Sequence, residues 1–427
     1  MKILKTLLLV VTLLFGATTA SAVTSLDGHI TDATTGKPVS DAVITIGTTV
    51  VKGDAMGHFQ ILFDFANPNL KILARAPGYR AATFISADAT KSKNTFALTP
   101  FTAHALYLSV YGIASKPIRD AALDIIHEGG ANALVIDIKS DRGLLTYPSE
   151  IALAQQIGAR KLTLVHSLPD LVAVGHGQGI YMIARIVTFK DATLGTARPD
   201  LAAHLANGSL FHDREGLTWT DPYQPEVRAY NIAIAIEAAK AGFDEIQFDY
   251  IRFPDASAKL KFNGPTDEAG RVGAITQFLT EAHSALAPYN AFQAADIFGY
   301  VGWNLNDTGI GQQLENIVNT VDYVSPMLYP SGFKFGIPGH KNPMATDDDI
   351  YSIIRLTVEN CIKRTHANPK KFRPWLQAYR DYAFGGKIFG PAEVGDQIRG
   401  ANDANTDGWI LWNPHNRYTG IGLIKDK

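Results

Sequence analysis

The sequence predicts an α/β fold, a (β/α)8 (TIM) barrel preceded by a small β-sandwich. Three observations carry that expectation. From residue 103 onward, eight short apolar runs alternate with helix-like segments, and eight is the strand number that closes such a barrel. Ahead of it, residues 24–98 read as short strands separated by turn residues, the pattern of a two-layer β domain. No Gly-x-Gly-x-x-Gly follows any of the runs, which removes the simplest nucleotide-binding alternative among open α/β sheets. The expected boundaries are 1–22 for a signal peptide, 23–100 for the sandwich and 101–427 for the barrel.

The chain opens with Lys2 and Lys5, an apolar core from Leu7 to Phe15, and Ala20-Ser21-Ala22 as a small-residue cleavage pattern, the layout of a secretory signal. Its apolar core is shorter than the roughly 20 residues that span a bilayer. The expected product is therefore secreted or periplasmic, with no membrane span in the mature chain. With 427 residues, 46% hydrophobic and 19% charged, the chain is long and apolar enough for a large core. Its 39 basic and 41 acidic residues leave a formal charge of −2, so the basic excess of a generic nucleic-acid binder is missing. Cys361, the sole cysteine, excludes an internal disulfide and any multi-cysteine metal site.

Within residues 24–98 the strand-like runs are LDGHITD, AVITI, HFQILF, LKILARA and ATFISA, with Gly36-Lys37-Pro38 and Pro77-Gly78 as turns. Asp32, Asp54 and His58 fall in the turns, where short polar side chains serve the backbone. "GHITDATTGKPVSDAVITI", "GDAMGHFQI" and "APGYRAATF" follow one another in the order of the carboxypeptidase regulatory-like, transthyretin-like domain, which this segment resembles. That resemblance implies a spacer or docking module and no chemistry.

The barrel strands are expected at 105–113, 133–140, 181–189, 245–253, 291–299, 321–329, 373–380 and 408–414. Helices fill the gaps: Ser115 and Pro117 open the first, 225–241 ends at Gly242, and 266–287 opens with Thr266 and Glu268. Side chains along a barrel strand alternate between the interior and the surrounding helices. On the fourth strand, that rule sends Ile246, Phe248 and Tyr250 outward and Glu245, Gln247, Asp249 and Ile251 inward. Asp244 and Glu245 mark the bottom of the strand, where stability is the expected role. Applied to the other strands, the rule turns Asp137 and Lys139, Arg185, Ala294 and Asp296, Ser325, Met327 and Tyr329, Gln377 and Tyr379, and Trp409, Leu411 and Asn413 inward. Polar groups thus gather toward the carboxyl ends, where barrel enzymes hold their sites. Buried charges need partners, so these groups should meet one another or a ligand.

Two carboxyl groups across a cleft are the minimum for glycoside hydrolysis. Asp249 is the candidate nucleophile or charge stabiliser, kept ionised by Arg185 and Lys139. Asp296 is the candidate general acid, if apolar surroundings raise its pKa. Asp137 stands in reserve. The competing reading makes Asp137, Lys139, Arg185 and Asp249 an ion network that supports the barrel. Candidates for binding sugar are Lys139, Arg185, Gln247, Arg252, Gln377 and Asn413 as polar groups, His415 just past the last strand, and the aromatic Trp219, Trp303, Tyr329 and Tyr379. Trp219 lies in the 190–224 connection, long enough to form a lid or cleft wall. No metal or other cofactor is expected, because the 12 histidines are scattered with no His-x-His or His-Glu-x-x-His.

"WTDPYQPEVRAYNIAIAIEAAKAGFDEIQFDYIRFP", "ALVIDIKSDRG" and "VDYVSPMLYP" resemble the putative glycosyl hydrolase domain family across about residues 103–425. The resemblance implies a secreted barrel hydrolase related in pattern to the alpha-amylase-like enzymes, with Asp249 at the nucleophile position. It departs from that scheme at the fifth strand, where Glu is usual and Asp296 stands. Two other classes compete: a non-catalytic glycan-binding barrel, which needs the aromatics but not both carboxylates, and a metal-dependent polysaccharide deacetylase or hydrolase, which needs His and Asp together at strand ends.

Overall fold

The computed structural model describes residues 23–64, 70–85, 94–255 and 257–423. The expected signal peptide lies outside the described residues. Seven strands come first: β1 (Val23–Asp32), β2 (Val43–Ile46), β3 (Thr49–Lys52), β4 (His58–Asp64), β5 (Lys71–Arg75), β6 (Ala82–Ile85) and β7 (Thr95–Leu98). They form two sheets, ordered β4-β1-β7 and β3-β2-β5-β6. Alternation sends Ile30, Ile44, Phe59, Ile72 and Phe96 into one shared core. The sequence pattern missed β3 and β7. The largely exposed β3 is held by a two-residue turn from β2 in which Gly47 has φ 59°, a hairpin geometry that favours glycine. Asp32 and Asp54 each accept two backbone N–H groups, from Thr34 and Thr35 and from Met56 and His58, as turn residues do.

The barrel consists of β8 (Ala103–Leu108), β9 (Ala133–Lys139), β10 (Tyr181–Val187), β11 (Glu245–Asp249), β12 (Phe292–Phe298), β13 (Tyr323–Met327), β14 (Trp375–Gln377) and β15 (Gly408–Trp412). Every neighbouring pair is parallel and the circle closes from β15 to β8. All eight strands lie within the expected runs or extend them by at most two residues. Most are shorter at the carboxyl end, because loops and caps take over there. At β8, the Ser109 hydroxyl accepts the Gly112 N–H and starts the helix Val110–Ala114, which stops the strand at Leu108. The helix Pro225–Ala241 has proline in its first turn and Gly242 at φ 100° as its stop. In Glu268–Leu286 the cap is Asp267, whose carboxylate accepts the Gly270 N–H. Small residues in the barrel interior, Ala103, Ala105, Ala133 and Ala294, leave room for Tyr181, Phe292, Tyr323 and Trp375.

At the bottom of the barrel Arg373 is fully buried, with Nη1 2.6 Å from Glu245 and Nη2 2.8 Å from Asp407. Its guanidinium lies 4.0 Å from the centre of the Tyr323 ring. Glu245 thus belongs to a structural network, as its position at the start of β11 implies. Asp244 is also occupied, accepting the Met182 N–H and pairing with His176. The sandwich docks on this same end. Arg75 Nε meets Asp322 Oδ2 at 3.1 Å, with both side chains almost fully buried. The Gly78 N–H donates to the Tyr323 hydroxyl, and Asn290 donates to the Ala82 carbonyl. Ala81 and Phe101 pack up against the interior residues. Burial works against the charge on Asp322, yet Arg75 and His283 hold its carboxyl below the usual aspartate range.

Replacing Arg75 with Ala leaves a buried carboxylate without its partner, a change that costs about 3–5 kcal/mol. Urea unfolding of the full chain measures the loss. A value below about 1 kcal/mol, the range of an exposed pair, would mean that the sandwich contact does not rest on this charge pair.

Candidate functional site

Four successive strands, β9 to β12, bring one charged residue each to the carboxyl end of the barrel. Arg185 on β10 stands at their centre, with its side chain 12% exposed. Its Nη1 donates to Asp137 Oδ1 at 2.5 Å, and its Nη2 donates to Asp249 Oδ2. Its Nε is 3.8 Å from Asp296 Oδ2. The other Asp137 oxygen accepts the Tyr107 hydroxyl at 2.6 Å, and Asp249 Oδ1 accepts the Tyr250 N–H at 2.5 Å. Asp296 Oδ1 accepts the Trp375 indole N–H at 2.7 Å, while Oδ2 has no hydrogen-bond partner among the described residues.

Three carboxyl groups around one guanidinium are too many negative charges for a dry site. Burial shifts the balance toward the neutral form of a carboxyl. Burial, and then the neighbouring charge of Asp249, push the Asp296 carboxyl well above its ordinary range. Burial also raises Asp137, with Arg185 and the Tyr107 hydroxyl opposing it. Arg185 itself is held firmly charged: burial alone would lower its pKa, but Asp137 and Asp249 more than offset that. Asp296, the carboxyl with an oxygen left over, is the natural holder of the proton.

Above this cluster opens a cleft of about 480 Å³, with Arg185 and Asp249 on its floor. Asp296 is fully buried beneath it, under the cleft-lining Trp375. Tyr329 and Trp412 form one wall, their rings stacked at 5.4 Å. Phe298, Tyr300 and Phe333 also line the cleft, and Arg214, Arg252 and Asp255 join the lining from loops.

Several candidates lie elsewhere. Lys139 does not join the cluster: Nζ is 2.8 Å from Asp191 and donates to Asn231 and to the Val187 and Thr188 carbonyls. The register slips between β9 and β10 at Arg185 and Ile186, which ends the alternation before Lys139 and turns it toward the helix Pro225–Ala241. Gln247 sits one layer below, bonded to Ser325, and Gln377 is enclosed by Ser331 and Gln397. Trp219 and Trp303 are packed, with their N–H groups on Asp213 and Thr357. Tyr379 stands behind the cleft wall, edge-on to Tyr329 and Trp412. Asn413 braces the Ala378 carbonyl, and exposed His415 is outside the cleft lining.

The expected facing fails at two further places. Tyr250 has φ 50°, a conformation that costs a bulky residue about 1–3 kcal/mol and gathers at functional sites. It ends the strand at Asp249, puts Tyr250 in the cleft and drops Ile251 into the helix-side core, the reverse of the expected facing. On β15 the inward residues are Ile410 and Trp412, while Trp409 and Leu411 face the helices and Trp409 stacks on His104 at 4.8 Å. Residues of both facings on that strand are apolar, so hydropathy could not set its parity. Trp375 was within reach, since it has the same parity as Gln377.

The family described as Putative glycosyl hydrolase domain matches residues 105–418. No curated protein matches the chain. Among solved structures, the glycoside hydrolase domain of PgaB (BpsB) from Bordetella bronchiseptica superposes with a TM-score of 0.52 at 13% identity, covering 77% of this chain and all 100% of that one, a likeness of fold. A hypothetical protein from Ruminiclostridium thermocellum ATCC 27405 is 36% identical over 45% of this chain and 96% of its own, with a TM-score of 0.41. A GH18 chitinase from Pseudoalteromonas aurantia gives 0.46 at 12% identity, covering 75% of this chain and 97% of that one.

A raised carboxyl pKa has a signature in stability. Above the unfolded aspartate value of about 3.9, the native chain still holds the Asp296 proton that the unfolded chain has lost, so native stability falls as pH rises through that window up to the folded pKa. Asp296→Asn removes this slope. Urea midpoints of both proteins between about pH 4 and about pH 8 check it; parallel profiles would mean that Asp296 is ionised when folded.

Proposed function

The chain belongs to the Putative glycosyl hydrolase domain family, and from that premise we propose that it hydrolyses O-glycosyl bonds of a poly- or oligosaccharide by a two-carboxylate mechanism. The observation that carries this reading is Asp249, a carboxylate on the cleft floor fixed by Arg185 and by the Tyr250 N–H. A group held so firmly keeps its aim as positive charge develops at the anomeric carbon, and it serves there as nucleophile or as charge stabiliser. Asp296 is the proton-bearing partner. Its carboxyl is raised by burial and by Asp249, the arrangement that separates acid from base in such pairs. Donation to a leaving oxygen goes through Oδ2, the oxygen free of hydrogen bonds among the described residues, once Trp375 shifts to open it to the cleft while Arg185 stays on Asp249.

A second assignment of the acid has one observation in its favour. Asp255 lines the cleft directly, 86% exposed and 2.8 Å from Arg252. Aromatic walls suit the flat faces of sugar rings. Export directed by residues 1–22 fits a polymeric substrate met outside the cytoplasm.

Asp249→Asn is expected to abolish cleavage of every glycoside while leaving the melting temperature within a few degrees of the native one. Loss of the acid slows natural glycosides by about 10²–10⁴-fold but spares aryl glycosides whose leaving group needs no proton. That selective pattern in Asp296→Asn, and not in Asp255→Asn, supports the assignment; the opposite result moves the acid to Asp255. A native chain that binds glycans and cuts none would be a binding module.

A further inference from the structure

The connection between β10 and the helix Pro225–Ala241 carries a turn whose central side chain is unengaged. Asp213 accepts the backbone N–H groups of Glu215 and Leu217 and the Trp219 indole N–H. Both Asp213 and Glu215 pair with Lys190, at 3.3 and 2.7 Å. The residue between them, Arg214, is exposed, lines the cleft and has no hydrogen bond or ion pair among the described residues. Its acidic neighbours both turn to Lys190, and neither pairs with Arg214. The turn fixes the backbone at Arg214 and leaves its guanidinium without a direct ion pair among the described residues.

The other charges on the cleft are matched. Arg185 is taken by the carboxyl cluster, and Arg252 lies over the Trp219 ring with its Nη1 on Asp255. Tyr382 lines the same cleft, is 64% exposed and stacks on Tyr379 with rings 4° from parallel and 6.2 Å apart. Arg214 is near enough for its charge to act on the Tyr382 phenol. A guanidinium beside an open aromatic face fits a sugar ring that bears an oxyanion, because arginine binds carboxylate and sulfate in a planar, two-pronged geometry.

Resting on the hydrolase reading above, we propose that the cleft takes an acidic glycan, with the ring of a charged sugar on Tyr382 and its carboxylate or sulfate on Arg214. The formal charge of −2 for the whole chain gives no general attraction for such polymers. The preference is therefore local.

Binding is measured with the Asp249→Asn chain, so that no probe is consumed. Polygalacturonate, alginate and hyaluronan are each compared with the same polymer after carboxyl reduction, and dextran sulfate is compared with dextran. At least one charged member should bind about tenfold more tightly than its neutral counterpart at low salt, an advantage that shrinks with added salt. Arg214→Gln should erase the advantage, and Arg198→Gln, at a residue engaged with Asp200 and Glu226 in the same connection, should keep it. Whether the polyuronates or dextran sulfate respond tells carboxylate from sulfate. Equal affinity for charged and neutral members, or an advantage that survives Arg214→Gln, overturns the proposal. The two readings fail separately: a native chain that binds acidic glycans through Arg214 and cuts none loses the hydrolase reading, whereas one that cuts neutral glycans with no charge preference loses this one.

Discussion

A lone guanidinium, that of Arg185, ties together carboxyl groups from the three strands beside and beyond it, and the upper half of the barrel is arranged around keeping it paired. Four ionisable groups in so dry a place are tolerable only if charge is balanced and nearly every oxygen has a donor. Tyr107, Trp375 and the Tyr250 N–H supply those donors. The oxygen left over belongs to Asp296, where burial also favours a bound proton. The proposed chemistry and the charge balance of the barrel therefore rest on the same residues. The ion-network reading and the catalytic reading describe one cluster, whose outermost member, Asp249, meets the cleft.

Much of this was legible in the sequence because the barrel strands are apolar. An Asp or Arg in the middle of ALVIDIKS, YMIARIVTF, EIQFDYIRF or AFQAADIFG stands out, and Asp137, Arg185, Asp249 and Asp296 all lie at the cluster. What escaped depends on geometry that residue types do not encode. A one-residue slip between β9 and β10 removed Lys139 from the site, and a left-handed turn at Tyr250 reversed the facing of the residues after Asp249. β15 is apolar on both faces, so its parity carried no signal. Of the aromatic candidates Tyr329 reached the cleft, Tyr379 packs behind it, and Trp219 and Trp303 became packing residues with bonded N–H groups.

The two ends of the barrel use charge in opposite ways. At the bottom, Arg373 is enclosed by Glu245 and Asp407 with no side-chain exposure, so that network is purely structural. At the top, the cluster is of similar composition but has a door, the cleft above Asp249. Position along the strand, more than residue type, separates scaffold from candidate machinery, in keeping with how barrels divide stability and activity between their faces.

The amino-terminal sandwich, which by resemblance is a spacer or docking module, packs against the floor of the barrel. Ala81 and Phe101 plug the floor of the barrel, and Arg75 reaches across to the buried Asp322. A chain cut at residue 101 would uncover apolar interior residues and leave the buried Asp322 without Arg75, an invitation to clump with its own kind. Anyone wishing to graft, shorten or transplant the barrel must carry its keel along.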